Sequence, residues 1–175
     1  GNRAGERSIA MPRKVETKVR EEVQLVVFRL QDEEFGVEIG QVREIIRIPE
    51  ITKIPEAPGA IVGVINLRGE VVGVIDLAKQ FDLPAEKSHD KVARIVVAEV
   101  DEKTFGMIVD EVPEVIKIAK DEIEVTPELV QSKVKKDYIK GVGKIGERLL
   151  ILIDLTRILD PGAAKVLGTL NKEAE

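Results

Sequence analysis

The sequence repeats itself, and this repeat restricts the fold more than any other feature of the chain. FGVEIGQVREII at residues 35–46 matches FGMIVDEVPEVI at residues 105–116 without a gap. GVINLRGEVVGVIDL at residues 63–77 matches GVGKIGERLLILIDL at residues 141–155, and both segments end in Ile-Asp-Leu. The two blocks come in the same order in both halves, with eight more residues between them in the second half. The chain is therefore predicted to form two similar lobes.

Short runs of β-branched and aliphatic residues predict that these lobes are built from strands. VQLVVFRL, a polar turn and FGVEI together have the pattern of a β-hairpin, and VARIVVAEV, KTFGMIV and ERLLILIDL have the same strand character. Because closure removes the exposed edges of short strands, each lobe is predicted to be a small β-barrel. The first lobe would span about 23–83 and the second about 92–160, joined by the linker at 84–91.

Helices are predicted to be few and short. IGQVREII places Ile39, Val42, Ile45 and Ile46 at helical spacing, which predicts a short amphipathic turn of helix. LAKQFDL predicts a second short helix, and Asp76 directly before it is placed to cap the exposed amide groups. Residues 161–175 begin with a proline followed by apolar residues at helical spacing, so a C-terminal helix is predicted there.

Two segments outside the repeat are predicted to lie away from the core. Residues 1–22 are mostly charged and lack periodicity, which indicates a disordered lead-in, and the residues before Met11 have the character of expression remnants. VTPELVQSKVKKD is polar and lysine-rich, and it falls where the second half has its extra residues. We expect it to be an exposed excursion whose lysines, Lys133, Lys135 and Lys136, are solvated.

Composition and charge argue against several classes of function. The 175 residues carry 27 Lys+Arg against 32 Asp+Glu, and the net charge of -5 disfavours general affinity for nucleic acid or anionic membranes. Four Phe, one Tyr and no Trp leave few platforms for base stacking. With no Cys and a single histidine, His89, thiolate sites are impossible and other metal sites are disfavoured. We expect a soluble, cytoplasmic protein without a metal or cofactor.

Two patterns resemble catalytic motifs, and each has a simpler explanation. GVGKIG at 141–146 fits G-x-G-x-x-G, but a strand pattern follows it where a dinucleotide site needs a helix, so the glycines are interpreted as turn residues. Asp76 and Asp154 could be imagined as a general acid and base. They occupy the same position in the two halves, each before a short helical segment, which favours helix capping. We therefore predict no catalytic residues and no enzymatic activity.

Arg68 is the residue that the repeat does not explain. It stands in a turn between two aliphatic runs, where it would point away from the core, and the second half has Gly146 at the same position. The lobe fold therefore does not require an arginine there. Arg68 is either a solvated turn residue or a contact for another protein. Two interpretations are likewise possible for the apolar residues of the next segment, which belong either to the core or to an interface: Val42, Ile45 and Ile46.

These segments together resemble the CheW-like family of chemotaxis coupling proteins. The resemblance is carried by FGVEIGQVREII, by ITKIP, by the NLRG turn followed by VIDL, and by FGMIVDEVPEVI and GERLLILIDL, and it runs from about Val23 to Leu159. It implies a mainly β fold of two five-stranded, SH3-like β-barrel lobes that share a hydrophobic core, with short helices and a C-terminal helix. It also implies a non-enzymatic adaptor.

The resemblance implies partners as well. Such adaptors couple the cytoplasmic tip of methyl-accepting chemoreceptors to the histidine kinase CheA. Receptor helices dock in a groove between the lobes, and the regulatory domain of the kinase packs barrel against barrel. The protein would reach membrane receptor arrays only through these partners. The alternative is a small β-barrel module that binds nucleic acid or another polymer, against which the negative charge and scarce aromatic residues count.

The resemblance also assigns contact residues. The candidates for binding receptor or kinase are residues of the V-x-E-I segment, the GVINLRG segment and the matching part of the second half: Val42, Glu44, Ile45, Gly63, Arg68 and Val115. Apolar anchors with a rim of charge are typical of such contacts. Arg68 and Glu44 would be rim groups.

Overall fold

The computed structural model describes residues 20–84, 91–125, 132–159 and 165–166. The predicted lead-in, except residues 20–22, lies outside the described residues. So do His89, residues 126–131 of the lysine-rich tract and, apart from residues 165–166, the predicted C-terminal helix. The strands of the described part are β1 (Glu22–Leu30), β2 (Glu33–Glu38), β3 (Val42–Arg47), β4 (Ile61–Leu67), β5 (Glu70–Asp76), β6 (Arg94–Val100), β7 (Lys103–Val109), β8 (Glu111–Ala119), β9 (Ile123–Glu124), β10 (Ile139–Ile145) and β11 (Arg148–Ile153).

The mainly β prediction is confirmed, and the strands form two sheets. One sheet has six strands in the order β8-β1-β2-β11-β10-β9, and the other has five in the order β3-β6-β7-β5-β4. The sixth strand, β9, is two residues long. Its equivalent beside β4 is a single bridge between Thr52 and Val64. Apart from this difference the two sheets have the same topology, as the sequence repeat predicts.

The division of the chain between the sheets differs from the predicted lobes at about 23–83 and 92–160. The hairpin β1–β2 of the first half joins the sheet of the second half, where β1 pairs antiparallel with β8 and β2 pairs parallel with β11. The equivalent hairpin β6–β7 of the second half joins β3 and β5 of the first half. The two halves thus exchange their first hairpins. Repeat matching identifies equivalent strands, but it does not say which copy each strand pairs with.

Three apolar clusters hold this arrangement together. One lies inside the five-stranded sheet around Val72 and Ile95, and one lies inside the six-stranded sheet around Leu25 and Leu150. The third and largest contains buried residues of both sheets, including Phe28, Phe105 and others. This cluster confirms the shared hydrophobic core.

The helical prediction for residues 39–46 is wrong beyond its first turn. Residues Ile39–Gln41 form a 3-10 turn, and the chain then continues as β3, which pairs with β6 from Val42↔Ala98 to Arg47↔Arg94. The pairing register shifts between Val42 and Glu44, which is the mark of a β-bulge. A bulge adds one residue to the two-residue period of a strand. Apolar residues on one strand can therefore fall at helix-like intervals.

The predicted caps are confirmed. Helix α1 (Leu77–Gln80) begins after Asp76, whose carboxylate accepts a hydrogen bond of 3.4 Å from the amide of Lys79. Asp154 holds the same place before a 3-10 turn at Leu155–Arg157, where it accepts from the amide of Thr156 at 3.0 Å. Both aspartates are thus used as caps.

The glycines of GVGKIG are turn residues only at Gly146, which has a φ of 61°. Gly141 and Gly143 lie inside β10, contrary to the prediction. A Cβ at Gly141 would stand 2.8 Å from the carbonyl oxygen of Glu124, and one at Gly143 would stand 2.9 Å from Cδ1 of Ile118. These two glycines therefore permit close packing of neighbouring chain segments.

Candidate partner-binding site

Five of the six predicted contact residues belong to the five-stranded sheet. Three of them lie on β3, Gly63 lies on β4, and Arg68 lies in the turn between β4 and β5. Val115 lies on β8 of the other sheet, at the position equivalent to Ile45. Strands β3 and β8 are edge strands. The predicted residues therefore mark two equivalent surfaces, one on each sheet, and do not form a single cluster.

The turn that carries Arg68 has an unusual backbone for an arginine. Arg68 and Gly69 have φ values of 51° and 87°, the pattern of a type I′ hairpin turn. The side chain of Asn66 supports the turn by accepting a hydrogen bond of 2.7 Å from the amide of Gly69. A positive φ is unfavourable for residues with a Cβ. The second half has Gly146 here, so the first half keeps an arginine where glycine suits the backbone better.

Arg68 reaches back to β3 and pairs with Glu44. Its Nη1 donates to Oε1 of Glu44 at 3.0 Å, and its Nη2 donates to Oε2 of the same carboxylate. These hydrogen bonds hold the pKa of Glu44 below its ordinary value. The Glu44 side chain is 23% exposed, whereas the Arg68 side chain is 67% exposed. Arg68 is therefore not a freely solvated group: one side of the guanidinium holds Glu44, and much of the residue remains open to solvent.

A second ion pair runs beside the first. Arg43 on β3 lies 3.3 Å from Glu70 on β5, and it also donates to the hydroxyl of Thr104 at 3.3 Å. Strand β3 is at one edge of the five-stranded sheet, whereas the β4–β5 hairpin is at the other. The two ion pairs thus connect opposite edges of the sheet and close this end of the barrel.

The six-stranded sheet has a similar tie with a different arginine. Glu114 on β8, the equivalent of Glu44, lies 2.9 Å from Arg148. Arg148 also lies 2.8 Å from Glu34, and these contacts raise the pKa of its guanidinium. Arg148 is on β11, two residues after Gly146. Both halves therefore join the edge strand to the hairpin by a Glu–Arg pair, but only the first half takes the arginine from the turn itself.

Each ion pair is accompanied by exposed apolar side chains. Ile45 and Val71 are exposed one residue after Glu44 and Glu70 in the sequence, and Val115 and Leu149 are exposed one residue after Glu114 and Arg148. Leu149 is 62% exposed, which is high for a leucine on a strand. We call Ile45, Val71 and the Arg68–Glu44 pair the first edge surface. Val115, Leu149 and the Arg148–Glu114 pair form the second edge surface.

Val71 and Leu149 were not among the predicted contacts. The aligned blocks place them at the same position of the two halves, one residue before a fully buried residue of the same strand. An apolar residue that faces away from the core in both copies was the signal that could have identified them.

Burial separates the predicted residues into two groups. Val42 and Ile46 are partly buried against the apolar clusters, whereas Ile45 is exposed. Gly63 is buried, and a Cβ there would stand 2.2 Å from the carbonyl oxygen of Thr52. Thr52 and Val64 exchange two hydrogen bonds of 2.8 Å across this contact. Gly63 therefore has a packing role that accounts for it without a partner.

The three lysines of the excursion are exposed, as expected, although the segment makes contacts with the rest of the protein. Lys135 lies 3.6 Å from Asp82, and the backbone amide of Lys133 donates to Glu33 at 3.2 Å.

Among the described residues, no group of three or more His, Cys, Asp and Glu side chains could hold a metal ion. No helix in the same part of the chain is long and apolar enough to cross a membrane.

Residues 24–162 match the model of the CheW-like domain family. The chain is 30% identical to the chemotaxis protein CheW of Treponema pallidum over 153 residues, which cover 86% of this chain and 89% of that one. It is 38% identical to CheW of Bacillus subtilis over 136 residues, covering 78% and 86%. The scaffolding protein TtCheW from Thermoanaerobacter tengcongensis has a similar crystal structure, with a TM-score of 0.73 and 35% identity over 82% of this chain and 91% of that chain.

Proposed function

The chain belongs to the CheW-like domain family, and we propose that, as a chemotaxis adaptor, it joins the cytoplasmic tip of methyl-accepting chemoreceptors to the histidine kinase CheA. It acts by binding and not by catalysis, so receptor state would bias the conformations of the kinase through the shared complex. The protein would work in the cytoplasm and meet receptor arrays at the membrane through its partners.

The observation that carries this proposal is the first edge surface. Arg68 occupies a turn position that suits glycine, and its exposed guanidinium pairs with Glu44, the residue that precedes the exposed Ile45 on β3. Val71 is exposed on β5, one residue after Glu70. Apolar anchors surrounded by charged groups are typical of protein contacts, where the charges select the partner and the orientation. A small-molecule active site would instead need converging catalytic groups in a cavity.

The two edge surfaces suggest how two partners are held. The kinase regulatory domain resembles this fold, and it would pack barrel against barrel on one edge surface. A receptor helix would lie along the outer edge of the shared core, where Val42 is partly buried. Val42, Glu44, Ile45 and Arg68 are the proposed contacts on one sheet, and Val115 is the proposed contact on the other. Gly63 would support the first surface through the packing of β4.

The proposal can be tested by measuring binding to a chemoreceptor cytoplasmic fragment and to the kinase regulatory domain. Ile45→Asp and Val115→Asp each place a charge on one edge surface without opening the core, because both side chains are exposed. We expect each variant to weaken binding to the kinase domain or the receptor fragment at least about tenfold while its thermal midpoint stays close to that of the parent. A matched Lys117→Asp variant, exposed on β8 two residues from Val115, is the control for added charge.

The same titrations include single-stranded DNA as a third probe. We expect a chemotaxis adaptor to show no binding to the DNA. Binding to DNA without binding to the receptor fragment or the kinase domain would favour the polymer-binding alternative and would contradict the proposed function.

A further inference from the structure

One end of the six-stranded sheet is open to solvent, and we call this end, lined by residues of five strands and their connections, the mouth of the sheet. A pocket of about 210 Å³ lies between β1, β2, β9, β10 and β11. Its floor is made by Leu25 and Leu152, which are buried in the core of this sheet. Val125 stands at the rim and is 74% exposed, so the apolar surface continues outside the pocket. Glu38, Lys120 and Lys140 supply its charged lining.

The equivalent mouth of the five-stranded sheet contains apolar side chains at the same positions. Matching β7 to β2 places Ile108 at the position of Glu38, and matching β4 to β10 places Val62 at the position of Lys140. Ile108 is buried in the core of the five-stranded sheet, and Val62 packs against that core. The five-stranded sheet therefore has packed aliphatic side chains at the two positions where the six-stranded sheet has Glu38 and Lys140.

The stability of the fold does not explain why the six-stranded sheet has Glu38 and Lys140 at positions where the five-stranded sheet has aliphatic residues. Glu38 and Lys140 form an ion pair, but both side chains are almost half exposed. Exposed ion pairs stabilise proteins little, whereas burying an aliphatic side chain stabilises them reproducibly. The same argument applies to Val125, which contributes little to packing. An open concave site with an apolar floor and a few charged groups at its rim is a place where another molecule can bind.

We propose that this mouth binds one large aliphatic or aromatic side chain of a partner polypeptide, presented next to an acidic residue. The five-stranded sheet indicates the apolar part, because it has a buried isoleucine side chain at the position of Glu38. The volume suits a single side chain and lies below the roughly 300–1,000 Å³ of pockets for small organic ligands. Val125 offers further contact to the neighbouring residues of a polypeptide.

The charged groups at the rim indicate that the bound side chain has an acidic residue next to it in the partner polypeptide. Two of the three charged lining groups are cations. Lys140 is paired with Glu38, but Lys120 approaches its nearest paired carboxylate, Glu21, only at 4.0 Å, and both of these side chains are well exposed. Lys120 can therefore turn to an incoming carboxylate at little cost. The inference rests on the proposed adaptor function for its protein partner, but it concerns a surface separate from both edge surfaces.

Short peptides test the pocket without either proposed partner. The probes are capped pentapeptides Gly-Ser-Leu-Asp-Gly, Gly-Ser-Leu-Lys-Gly and Gly-Ser-Ala-Asp-Gly, titrated into methyl-labelled full-length protein and followed by NMR. We expect the Leu-Asp peptide to shift the methyl signals of Val23, Leu25 and Val125, with at least about fivefold tighter binding than the other two. Lys120→Glu should reverse the preference between Asp and Lys.

The double variant Glu38→Ile/Lys140→Val supplies the residues that the five-stranded sheet has at these positions. It should keep or raise the thermal midpoint and abolish the shifts. The control Glu22→Ile/Lys117→Val makes the same chemical changes at exposed strand positions outside the pocket lining, and it should leave the shifts intact. Equal shifts with all three peptides, shifts that persist in the filled variant, or no shifts at the pocket up to the solubility limit would overturn the inference. Loss of receptor and kinase binding together with intact, selective peptide shifts would contradict the proposed function and leave the peptide pocket standing.

Discussion

Gly63→Ala decides whether the buried glycine of β4 serves packing or a partner. An added Cβ would stand 2.2 Å from the carbonyl oxygen of Thr52 and 2.8 Å from Cγ2 of Ile51. Neither approach is possible without movement, and the nearer atom belongs to the backbone. The segment that carries Thr52 must therefore move away from β4, and its two 2.8 Å hydrogen bonds with Val64 would be lost or lengthened.

The expected loss of stability follows from these contacts. Each lost hydrogen bond costs about 1 kcal/mol, and overpacking in a buried site costs about 1–3 kcal/mol. Partial relaxation of the loop offsets some of this, so we expect Gly63→Ala to lower the free energy of unfolding by about 2–4 kcal/mol. For a chain of this size the thermal midpoint would fall by roughly 4–16 °C.

Two further glycines provide graded controls. At Gly141 the same Cβ would stand 2.8 Å from the carbonyl of Glu124, a milder clash, and at Gly40 it would meet nothing within 4 Å. The loss of stability in urea or thermal unfolding should therefore decrease in the order Gly63→Ala, Gly141→Ala, Gly40→Ala, the last within about 0.5 kcal/mol of the parent. Binding per folded molecule should be unchanged in all three. If Gly63→Ala is as stable as the parent and yet loses its partners, the steric reasoning is wrong and the glycine is itself a contact.

Three other predictions follow from the ion pairs and the caps. Arg68→Gly should weaken binding of a partner to the first edge surface while the thermal midpoint stays close to the parent, because glycine suits the turn; a large fall of the midpoint with intact binding would make Arg68 structural. Because Arg68 holds the pKa of Glu44 low, the stability that this pair contributes should be complete above the unfolded-state pKa of glutamate, near about 4.3, and be lost as the pH falls through the lower folded-state value; a Glu44 carboxyl that titrates by NMR at its ordinary pKa would contradict this. Asp154→Ala should destabilise the protein by about 0.5–2 kcal/mol in chemical unfolding through loss of the cap, and no change would show that the hydrogen bond to Thr156 is not needed.

The repeat and the strand patterns were enough to predict two related β-lobes around a common core, because burial and alternation are local properties of each segment. They did not reveal the hairpin exchange. β1 and β6 have equivalent sequences, so pairing β1 with β3 or with β8 would satisfy the same apolar pattern. The difference lies in long-range packing, which single-segment patterns do not contain.

The error at β3 has a different origin. Ile39 lies in a 3-10 turn, and the bulge after Val42 shifts the alternation of the strand by one residue. Together these features imitate helical spacing. Arg68 was identified as unusual because its partner position is Gly146, but its link to Glu44 depends on the closure of the barrel and could not be read from either segment alone.

Because the hairpins are exchanged, neither half of the polypeptide contains all the strands of one sheet. The first half contributes β1 and β2 to the six-stranded sheet, and the second half supplies its other strands. The second half contributes β6 and β7 to the five-stranded sheet, and the first half supplies its other strands. A cut in the linker would leave two fragments that still need each other to fold.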